Sequence, residues 1–206
     1  MSATAPIVHI VDDDASSLTA TSRLLRASGF AVKTFVSAGD FLTRRDADAA
    51  GCVVADLQMP GMDGLELQAA LARTGNPLPI LFLTGNGDIP SSVRAMRGGA
   101  EDFLMKTAPK ADLLDAIRRA VARDGREREE RLWRREMQER HVTLTARERE
   151  VLGHVVRGRM NKQIADDLGT VEQTIKVHRM RVMEKMRVQS VAELVSLVER
   201  AGLAGH

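Results

Sequence analysis

The sequence predicts two domains of different class, an α/β domain with a parallel sheet followed by an all-helical domain. Two observations predict them. Between residues 7 and 123, five short apolar runs alternate with five longer amphipathic segments, which is typical of repeated β–α units. Residues 142–206 lack this alternation and carry repeated helix-start signals, which predict four helices.

The apolar runs predict the strands of the first domain. The predicted strands are Ile7–Val11, Ala31–Thr34, Gly51–Ala55, Pro79–Leu83 and Glu101–Leu104. The segments between and after them predict the helices Ala15–Ala27, Ala38–Arg44, Gly64–Arg73, Ile89–Gly98 and Pro109–Arg123. Because a helix follows each strand, we expect a five-stranded, parallel, doubly wound sheet with helices on both faces.

Four of these strands end in residues that can carry chemistry. Asp12 and Asp13 follow the first strand, Asp56 the third, Thr84 the fourth and Lys106 the fifth. In open α/β sheets, ligands bind at the carboxyl ends of the strands. Clustered carboxylates repel one another unless a cation lies among them, and Mg²⁺ prefers oxygen ligands. The pattern predicts a crevice where Asp56 attacks a phosphoryl group whose oxygens are hydrogen-bonded by Lys106 and Thr84.

Composition narrows the class of protein further. The sequence is 44% hydrophobic and 28% charged, as expected for a globular chain. The single cysteine, Cys52, lies in an apolar strand, so a packed thiol is expected and no disulfide can form within the chain. No apolar run approaches the ~18 residues of a membrane span, and the N-terminus lacks a basic-then-apolar signal. We therefore expect a cytoplasmic protein without a membrane partner.

Residues 124–141 differ in amino-acid composition from the regions on either side. Arg and Glu dominate, with only Leu132, Trp133 and Met137 to bury, which predicts a charged helical linker that Gly125 is able to interrupt. Positive charge collects after this linker. Residues 142–206 carry 11 Lys and Arg against 8 Asp and Glu, whereas residues 1–123 carry 13 against 14. This excess is a weak indication of a polyanionic partner.

Capping boxes mark helix starts in the last third of the chain. The predicted boxes are Thr145…Glu148, Thr170…Gln173 and Ser190…Glu193. Asn161–Leu168 is predicted as a further helix, which Gly169 ends. The short turn that separates it from the segment Val171–Met186 has the proportions of a helix-turn-helix.

The segment Val171–Met186 has the pattern of a recognition helix. At about 100° per residue, one side carries Val171, Ile175, His178, Val182 and Met186, and the other carries Gln173, Lys176, Val177, Met180 and Glu184. Apolar Val177 and Met180 among cations suit contacts with base edges in the major groove, and the flanking Arg179 and Arg181 suit phosphate contacts. His178 is expected to be a hydrogen-bonded core residue rather than a metal ligand.

These motifs resemble those of a known family. The N-terminal part resembles the receiver domain of two-component response regulators in the motifs Val8–Asp14, Val54–Gly64, Thr84 and Lys106. The C-terminal part resembles the LuxR-type DNA-binding domain in the motifs Leu144–Leu152, Asn161–Ala165 and Thr174–Arg179. Their order is similar to that of the FixJ/NarL family of transcription regulators, and the C-terminal motif also resembles the StyR/TodT regulators.

The resemblance implies roles for individual residues. Asp56 matches the phosphoacceptor, Thr84 and Lys106 the pair that senses the phosphoryl group, and Phe103 the aromatic switch. The implied Mg²⁺ ligands are Asp12, Asp13, Asp56 and the backbone carbonyl of Gln58. Together with the helical pattern, the resemblance implies a DNA-binding set of Gln173, Lys176, Val177, Arg179, Met180 and Arg181.

The implied protein is a transcription regulator switched by phosphorylation, and not an enzyme. A receiver domain of residues 1–123, a linker of residues 124–141 and a DNA-binding domain of residues 142–206 are expected. The resemblance implies that a sensor histidine kinase phosphorylates Asp56, which promotes a homodimer that binds double-stranded promoter DNA.

One position departs from the family pattern. Receivers usually continue the lysine with a proline in a cis bond, whereas Thr107 follows Lys106. A cis bond before a non-proline residue costs about 3–4 kcal/mol. A trans Lys106–Thr107 bond, a reshaped loop and a helix that starts at Pro109 are therefore predicted.

Two other classes of protein remain open at this point. The run Ile10–Asp14 also fits the strand-then-Asp-x-Asp pattern of haloacid-dehalogenase-like phosphohydrolases, in which Asp12 would be the nucleophile and Asp56 structural. That hypothesis leaves the C-terminal third without a role. The other class is a regulator that senses a small ligand through its N-terminal domain. The 3% aromatic content and the acidic strand ends make a dedicated pocket poorly supported.

Overall fold

The structure is a computed structural model that describes residues 5–46 and 48–203. The chain divides into two compact units, one that extends to Arg128 and one that starts at Glu129. In the described part of the chain, the helices lack the combination of length and apolar character that a membrane crossing requires.

The N-terminal unit contains a five-stranded parallel sheet. Its strands are β1 (Ile7–Val11), β2 (Ala31–Phe35), β3 (Gly51–Ala55), β4 (Ile80–Thr84) and β5 (Asp102–Met105). Their order in the sheet is β2-β1-β3-β4-β5. Val11 at the end of β1 pairs with Ala55 at the end of β3, so the residues that follow both strands start from neighbouring points on one edge. The predicted parallel, doubly wound sheet is confirmed.

Five helices follow the strands of this unit. They are α1 (Ala15–Ala27), α2 (Ala38–Arg44), α3 (Gly64–Ala72), α4 (Ile89–Arg97) and α5 (Lys110–Val142). The first four match their predicted bounds to within a residue. Helix α5 instead continues far beyond Arg123 and passes through Gly125 without a break. Glycine costs a helix about 1 kcal/mol relative to alanine, which the helix-forming Arg and Glu on both sides can offset.

Polar side chains cap the first four helices. Asp14, Ser37, Asp63 and Asp88 each accept a hydrogen bond from a backbone N–H in the first turn that follows. Two of these carboxylates come from the acidic segments singled out in the sequence. Asp14 and Asp63 are therefore occupied as helix caps and are set apart from the other acids near the strand ends.

Alternate residues of the strands fill two apolar clusters, as expected for a sheet with helices on both faces. One cluster contains Val11, Val53 and Ala55, and the other contains Val8, Cys52 and Val54. The Cys52 side chain is fully buried, and burial, with smaller contributions from nearby carboxylates, raises the pKa of its thiol to about 12. The expected packed thiol is confirmed.

His9 is an uncommon residue for the centre of a sheet. It is fully buried in β1, where its ring stacks on Phe35 and meets the edge of Phe41 at 5.5 Å. Its Nδ1 lies 3.4 Å from the carbonyl oxygen of Cys52, and its Nε2 has no hydrogen-bond partner among the described residues. Burial lowers the pKa of this imidazole, and the charges of Lys33 and Arg45 lower it further.

The start of the predicted linker packs within the N-terminal unit. The Asp124 side chain is 1% exposed, and its Oδ2 accepts a hydrogen bond from the Gly51 backbone N–H at 2.8 Å. Arg128 donates to the carbonyl oxygens of Asp48 and Ala49. Residues 124–128 thus continue the contacts of the receiver-like part of the chain rather than standing apart from it.

The second unit contains the end of α5 and the predicted four helices. These are α6 (Ala146–Val156), α7 (Asn161–Asp167), α8 (Glu172–Met186) and α9 (Val191–Ala201). Their buried faces form one apolar core that includes Val151, Ile164, Ile175 and Leu194. Within this unit, Met137 of α5 is buried and Arg200 of α9 lies 4.0 Å from the Trp133 ring centre. The part of α5 that carries the tryptophan therefore packs within this unit.

Of the three predicted capping boxes, one is complete, one is wrong, and the one at Ser190 forms in part, because the Glu193 carboxylate accepts from the Gln189 N–H rather than from the Ser190 N–H. Thr145 and Glu148 form a reciprocal box at the start of α6, and the Ser190 side chain accepts from the Glu193 N–H at the start of α9. Helix α8, in contrast, has Val171 as its N-cap without a side-chain hydrogen bond. The Thr170 N–H instead donates to the Ala165 carbonyl, so Thr170 belongs to the close of α7.

Candidate phosphoacceptor site and nucleic-acid interface

Three strand ends bring an ammonium group and two carboxylates together. The Lys106 Nζ lies 2.6 Å from an oxygen of Asp12 and 2.8 Å from Oδ2 of Asp56. Asp12 is 4% exposed and Asp56 is 9% exposed, so both carboxylates are largely removed from water. Buried charges of this kind are tolerated when they are paired and hydrogen-bonded. The geometry confirms that the ends of β1, β3 and β5 meet at one crevice.

The two buried carboxylates have different partners. Asp12 accepts hydrogen bonds from the Asp14 N–H at 2.9 Å and from the Ser17 hydroxyl at 2.6 Å. The Oδ1 of Asp56 accepts from the Leu57 N–H at 2.6 Å, and its Oδ2 faces Lys106. Asp12 is thus held on both oxygens by nearby groups. Asp56 is held by its own loop on one oxygen and by Lys106 on the other.

The protonation of Lys106 is set by two opposing effects. Burial lowers the pKa of its ammonium group, but hydrogen bonds and charges from Asp12 and Asp56 outweigh burial, and its pKa lies above the ordinary lysine value. Lys106 is therefore a permanent cation at neutral pH.

Three carboxylates can contribute oxygen ligands to one cation. Oxygen atoms of Asp12, Asp13 and Asp56 all lie within 4.8 Å of one another. Asp13 is exposed, so the cluster opens to solvent on its side. A set made only of carboxylate oxygens suits a hard cation such as Mg²⁺ and not a softer transition metal. Gln58 follows in the same loop, and its N–H lies 3.4 Å from Oδ1 of Asp56.

Thr84 is the last residue of β4, and Phe103 lies within the neighbouring strand β5, where it pairs with Phe82. The Thr84 side chain is 1% exposed, and its Oγ1 accepts from the Asn86 N–H at 3.3 Å. Phe103 is half-buried and its ring lies 6.0 Å from that of Phe82. A methyl group at Gly87 would come within 2.8 Å of the Phe103 ring, so this glycine leaves the space that the ring occupies.

The loop after Lys106 follows the prediction made for a missing proline. The described residues contain no cis peptide bond, so the Lys106–Thr107 bond is trans, as predicted. The Ala108 N–H donates to the Met105 carbonyl, which closes a turn across this loop. Helix α5 then begins at Lys110, one residue after the predicted Pro109.

Two residues of this site were not predicted from the sequence. Ser17 contacts Asp12 from the first turn of α1, five residues further along the chain. Gly64 lies so close to the loop that a methyl group on it would stand 2.4 Å from the Asp56 carbonyl oxygen. The turn motif that contains Gly64 was a signal for the second residue. Nothing in the sequence around Ser17 distinguishes it from a helix-start serine.

The predicted apolar side of α8 is largely confirmed. Ile175, Val182 and Met186 are at most 1% exposed. The prediction that Val171 lies on the buried side is wrong, because Val171 is the N-cap and is 65% exposed. His178 is half-buried, but its Nδ1 makes no hydrogen bond within the described residues, so the expected hydrogen bond is not formed by that nitrogen.

The predicted solvent side of α8 carries cations around an apolar centre. Met180 is 61% exposed, Val177 is half-buried, and Gln173, Lys176 and Arg181 are exposed. Lys176 lies 3.5 Å from Glu172, one turn earlier in the helix. Arg179 is only half-exposed and points toward α7, where its Nη1 donates to Oδ1 of Asn161 at 2.7 Å. The structure therefore separates Arg179 from the freely exposed Arg181.

Each half of the chain matches a known protein family. Residues 8–118 match the response regulator receiver domain, and residues 142–198 match the bacterial regulatory proteins of the luxR family. Nodulation protein W of Bradyrhizobium diazoefficiens is 41% identical over 203 residues, which cover 98% of this chain and 89% of that protein. Response regulator protein TodT of Pseudomonas putida is 42% identical over 200 residues, with 97% and 88% covered.

Solved structures show the same organisation. The structure of the response regulator StyR is similar with a TM-score of 0.86 and 45% identity, and the match covers 96% of this chain and all of that one. Full-length FixJ from B. japonicum is similar with a TM-score of 0.59 and 36% identity, covering 98% of this chain and 100% of that one.

These matches set the phosphohydrolase and the ligand-sensor hypotheses aside. The haloacid-dehalogenase hypothesis had no role for the C-terminal third, which the luxR-family match covers. TodT is a response regulator protein, and FixJ of Azorhizobium caulinodans is a transcriptional regulatory protein. With a receiver domain followed by a LuxR-type DNA-binding domain, the chain is a two-component response regulator and belongs to the FixJ/NarL family.

Proposed function

We propose that Asp56 accepts a phosphoryl group from a sensor histidine kinase in the cytoplasm, and that this modification switches homodimer formation and promoter binding. The observation that carries the proposal is the Lys106 ammonium group between Asp12 and Asp56, at 2.6 and 2.8 Å. A phosphoryl group on Asp56 would lie beside this cation, which stabilises negative charge on its oxygens.

The hydrogen bonds of the acids support Asp56 as the nucleophile. Asp14 and Asp63 cap helices, and Asp12 accepts from the Asp14 N–H and the Ser17 hydroxyl. Asp56 lies at the end of the central strand β3, and its Oδ2 faces the charged Lys106 alone among the described hydrogen-bond donors. Asp13 is exposed and Asp12 is hydrogen-bonded on both oxygens, so Asp56 is the buried carboxylate with an oxygen that contacts only the Lys106 ammonium.

The acidic cluster fits a magnesium ion. Asp12, Asp13, Asp56 and the backbone carbonyl of Gln58 would hold it, since all four offer hard oxygen ligands. When bound, Mg²⁺ neutralises the charge that builds up on the transferring phosphoryl oxygens.

The response to phosphorylation is assigned to Thr84 and Phe103. A phosphoryl dianion on Asp56 offers acceptors to the Lys106 ammonium and to the Thr84 hydroxyl. Displacement of Thr84 at the end of β4 would free space for the Phe103 ring, which already lies near Gly87 at the start of the following loop. The Phe103 ring would thus have one position before phosphorylation and another after it. These two positions would correspond to two states of the face formed by α4, β5 and α5.

The DNA-binding role is assigned to the exposed side of α8. Gln173, Lys176, Val177 and Met180 are proposed to contact base edges, and Arg179 and Arg181 to contact phosphates. A homodimer would bring two such helices to two half-sites of double-stranded promoter DNA. The excess of Lys and Arg in residues 142–206 supports this partner, because phosphate contacts dominate affinity for DNA.

The proposed division of labour follows the domains. Residues 1–123 form the receiver, residues 124–141 the linker and residues 142–206 the DNA-binding domain. The family matches to residues 8–118 and 142–198 support these bounds. The contacts of Asp124 and Arg128 with residues 48–51 further suggest that the linker's first residues respond to changes in the receiver.

The phosphoacceptor is tested with a small phosphodonor. The full-length protein is treated with acetyl phosphate and Mg²⁺, and the modified residue is mapped by mass spectrometry. We expect a phosphoryl group on Asp56 in the natural protein and none in Asp56→Asn. Asp14→Asn is the matched control, because it removes one carboxylate from the same edge while asparagine caps α1 as well as aspartate does.

A second variant separates the metal from the nucleophile. Asp13→Ala should remove most of the dependence on Mg²⁺ while the circular dichroism spectrum stays unchanged, because Asp13 is exposed. An acid-stable, base-labile phosphoryl group at full stoichiometry on Asp56→Asn would show the assignment to be wrong. Loss of labelling in Asp14→Asn would equally contradict it.

A further inference from the structure

A recess of about 680 Å³ lies between the start of α7 and the side of α8. Three cations line it, namely Lys162, Lys176 and Arg179, together with the single carboxylate of Glu172. Lys162 and Lys176 are exposed, so their ammonium groups extend into solvent around the recess. A concave surface with an excess of positive charge suits an anionic ligand.

Arg179 differs from the other cations of this recess because it is held by a neutral group. Its Nη1 donates to Oδ1 of Asn161, the first residue of α7, at 2.7 Å. Elsewhere in this unit, Arg147 is paired with Glu150 at 2.9 Å and Lys176 with Glu172 at 3.5 Å. A carboxylate partner cancels the charge of a guanidinium, whereas an amide oxygen orients it and leaves the charge in place.

The orientation of Arg179 matters for binding because its side chain is long. A free arginine loses rotamer freedom when it binds a phosphate, and this loss weakens binding. An arginine that is already held has lost part of that freedom in the unbound protein. The guanidinium carries five N–H donors, and Asn161 engages one of its two terminal nitrogens. Arg179 makes no other hydrogen bond within the described residues, so its remaining donors can form a paired contact with a phosphate.

We propose that Asn161 is a positioning residue for DNA, which holds the Arg179 guanidinium at the recess between α7 and α8 so that it binds a backbone phosphate. This inference rests on the proposed DNA-binding function of α8. It gives Arg179 and Arg181 different roles, because Arg181 is exposed and makes no hydrogen bond or ion pair within the described residues. Arg179 fixes the register of the helix-turn-helix on the backbone, while Arg181 contributes charge alone.

The first test is a double-mutant cycle on the full-length protein. Binding to a short DNA duplex of random sequence is measured from about 50 to 200 mM salt. The slope of log affinity against log salt concentration reports the number of phosphate contacts. Asn161→Ala should weaken binding about three- to tenfold at every salt concentration with the slope unchanged, because the charge of Arg179 remains. Arg179→Ala should reduce the slope by about one. Adding Asn161→Ala to Arg179→Ala should cause no further loss.

The second test changes the partner's charge. Asn161→Asp should keep Arg179 in place, cancel its charge and reduce the slope by about one. Its melting temperature should stay the same or rise, because an acid in the first turn of a helix is favourable. Gln163→Glu is the matched control. It adds the same charge to the same turn and retains the acceptor for the Met160 N–H, so its slope should stay within about half a unit of the natural protein.

The outcomes separate the inference from the function on which it rests. Failure of the natural protein to bind the duplex at low salt would overturn the DNA-binding function and the inference with it. If the natural protein binds, equal effects of Asn161→Ala in the presence and absence of Arg179 would overturn the inference alone. Equal slopes for Asn161→Asp and Gln163→Glu would overturn the inference as well. The added negative charge of either variant would then affect DNA binding equally, whether or not it contacts Arg179.

Discussion

Lys106 and His9 are two ionisable residues of the same sheet whose surroundings affect them in opposite ways. Burial lowers the pKa of the half-buried Lys106, but the hydrogen bonds that it donates to Asp12 and Asp56 and the charges of these carboxylates raise the pKa above its ordinary value. His9 is fully buried, and burial lowers its pKa, which the contact with the Cys52 carbonyl raises in part and the neighbouring cations Lys33 and Arg45 lower further. Lys106 is therefore charged and His9 neutral in the folded protein at neutral pH.

The neutral state of His9 predicts how stability depends on pH. Below its ordinary pKa of about 6.5, the unfolded chain binds a proton that the folded chain does not, because the folded pKa is lower. The free energy of unfolding should therefore fall as pH falls from about 6.5 toward the folded pKa of His9. Urea titrations between about pH 7.5 and 5.5, followed by circular dichroism, measure this loss.

The matched variant is His9→Leu, which removes the titrating group from the core. Its stability should change less over the same pH interval than that of the natural protein. His178→Gln, which alters a histidine of the other unit, should retain the full pH dependence of the N-terminal unit. An unchanged pH dependence in His9→Leu would assign the effect to other groups.

At the scale of the element, α5 shows how local propensity and long-range packing combine. Ion pairs one turn apart, such as Arg123–Glu127 at 2.7 Å and Arg134–Glu130 at 3.1 Å, support the charged middle of the helix. Buried residues hold it at both ends, with Ile117 in the first unit and Met137 in the second. The helix therefore passes through Gly125, although the sequence allows a break there.

This continuity predicts the effect of alanine at Gly125. Nothing lies within 4 Å of the position that a methyl group would occupy there, and the residue is helical. Gly125→Ala should raise the free energy of unfolding by about 0.5–1 kcal/mol, because alanine has less conformational freedom to lose. Chemical denaturation of the full-length protein measures this change in the free energy of unfolding.

Gly29→Ala is the matched control for this prediction. Its methyl group would also meet nothing within 4 Å, but Gly29 has a φ of +89°, which alanine adopts with strain. It should lower the free energy of unfolding by about 1–2 kcal/mol. Two substitutions in equally open space should thus have opposite signs. Destabilisation by Gly125→Ala would mean that the helix is interrupted there in solution.

Elements with a strong local signal could be predicted from the sequence, and those defined by distant contacts could not. The strands ending at Val11 and Ala55 have continuous apolar runs, and parallel topology then places Asp12 and Asp56 at one edge. Thr170 looked like a helix cap because its spacing from Gln173 fits, yet its N–H closes α7 instead. In that case two local uses of one residue competed, and sequence spacing does not rank them.

The candidate sites show the same limit. Lys106 and Asp56 are 50 residues apart and were associated because both follow strands of one sheet. The contacts of Ser17 with Asp12 and of Asn161 with Arg179 depend on side-chain direction, which the spacing of residues does not reveal. The trans bond before Thr107 was predictable, because the cost of a cis bond is a local property of the residue type.

At the scale of the whole molecule, the proposed switch should change mass and DNA binding together. Phosphorylation of the full-length chain should give a species of twice the monomer mass in sedimentation or light scattering. Two DNA-binding domains on one duplex engage more phosphates than one, so the slope of log affinity against log salt should about double. Both changes should need acetyl phosphate, Mg²⁺ and Asp56.

The variant Asp56→Asn is the control for this prediction. It should remain monomeric and keep the shallow slope in the presence of the phosphodonor. A phosphorylated protein that stays monomeric with an unchanged slope would separate phosphorylation from dimer formation and contradict the proposed switch. Asp14→Asn should respond as the natural protein does, since its carboxylate caps a helix.

The buried state of Cys52 has a practical consequence for spectroscopy. Alkylating dyes and spin labels react with thiolates. Burial raises the pKa of Cys52 to about 12, so this fully buried residue is a thiol at neutral pH. It is the chain's single cysteine. A cysteine placed at exposed Thr107 or Arg181 would therefore be the one thiol that accepts a label. Probes can report on either domain without first replacing the natural residue.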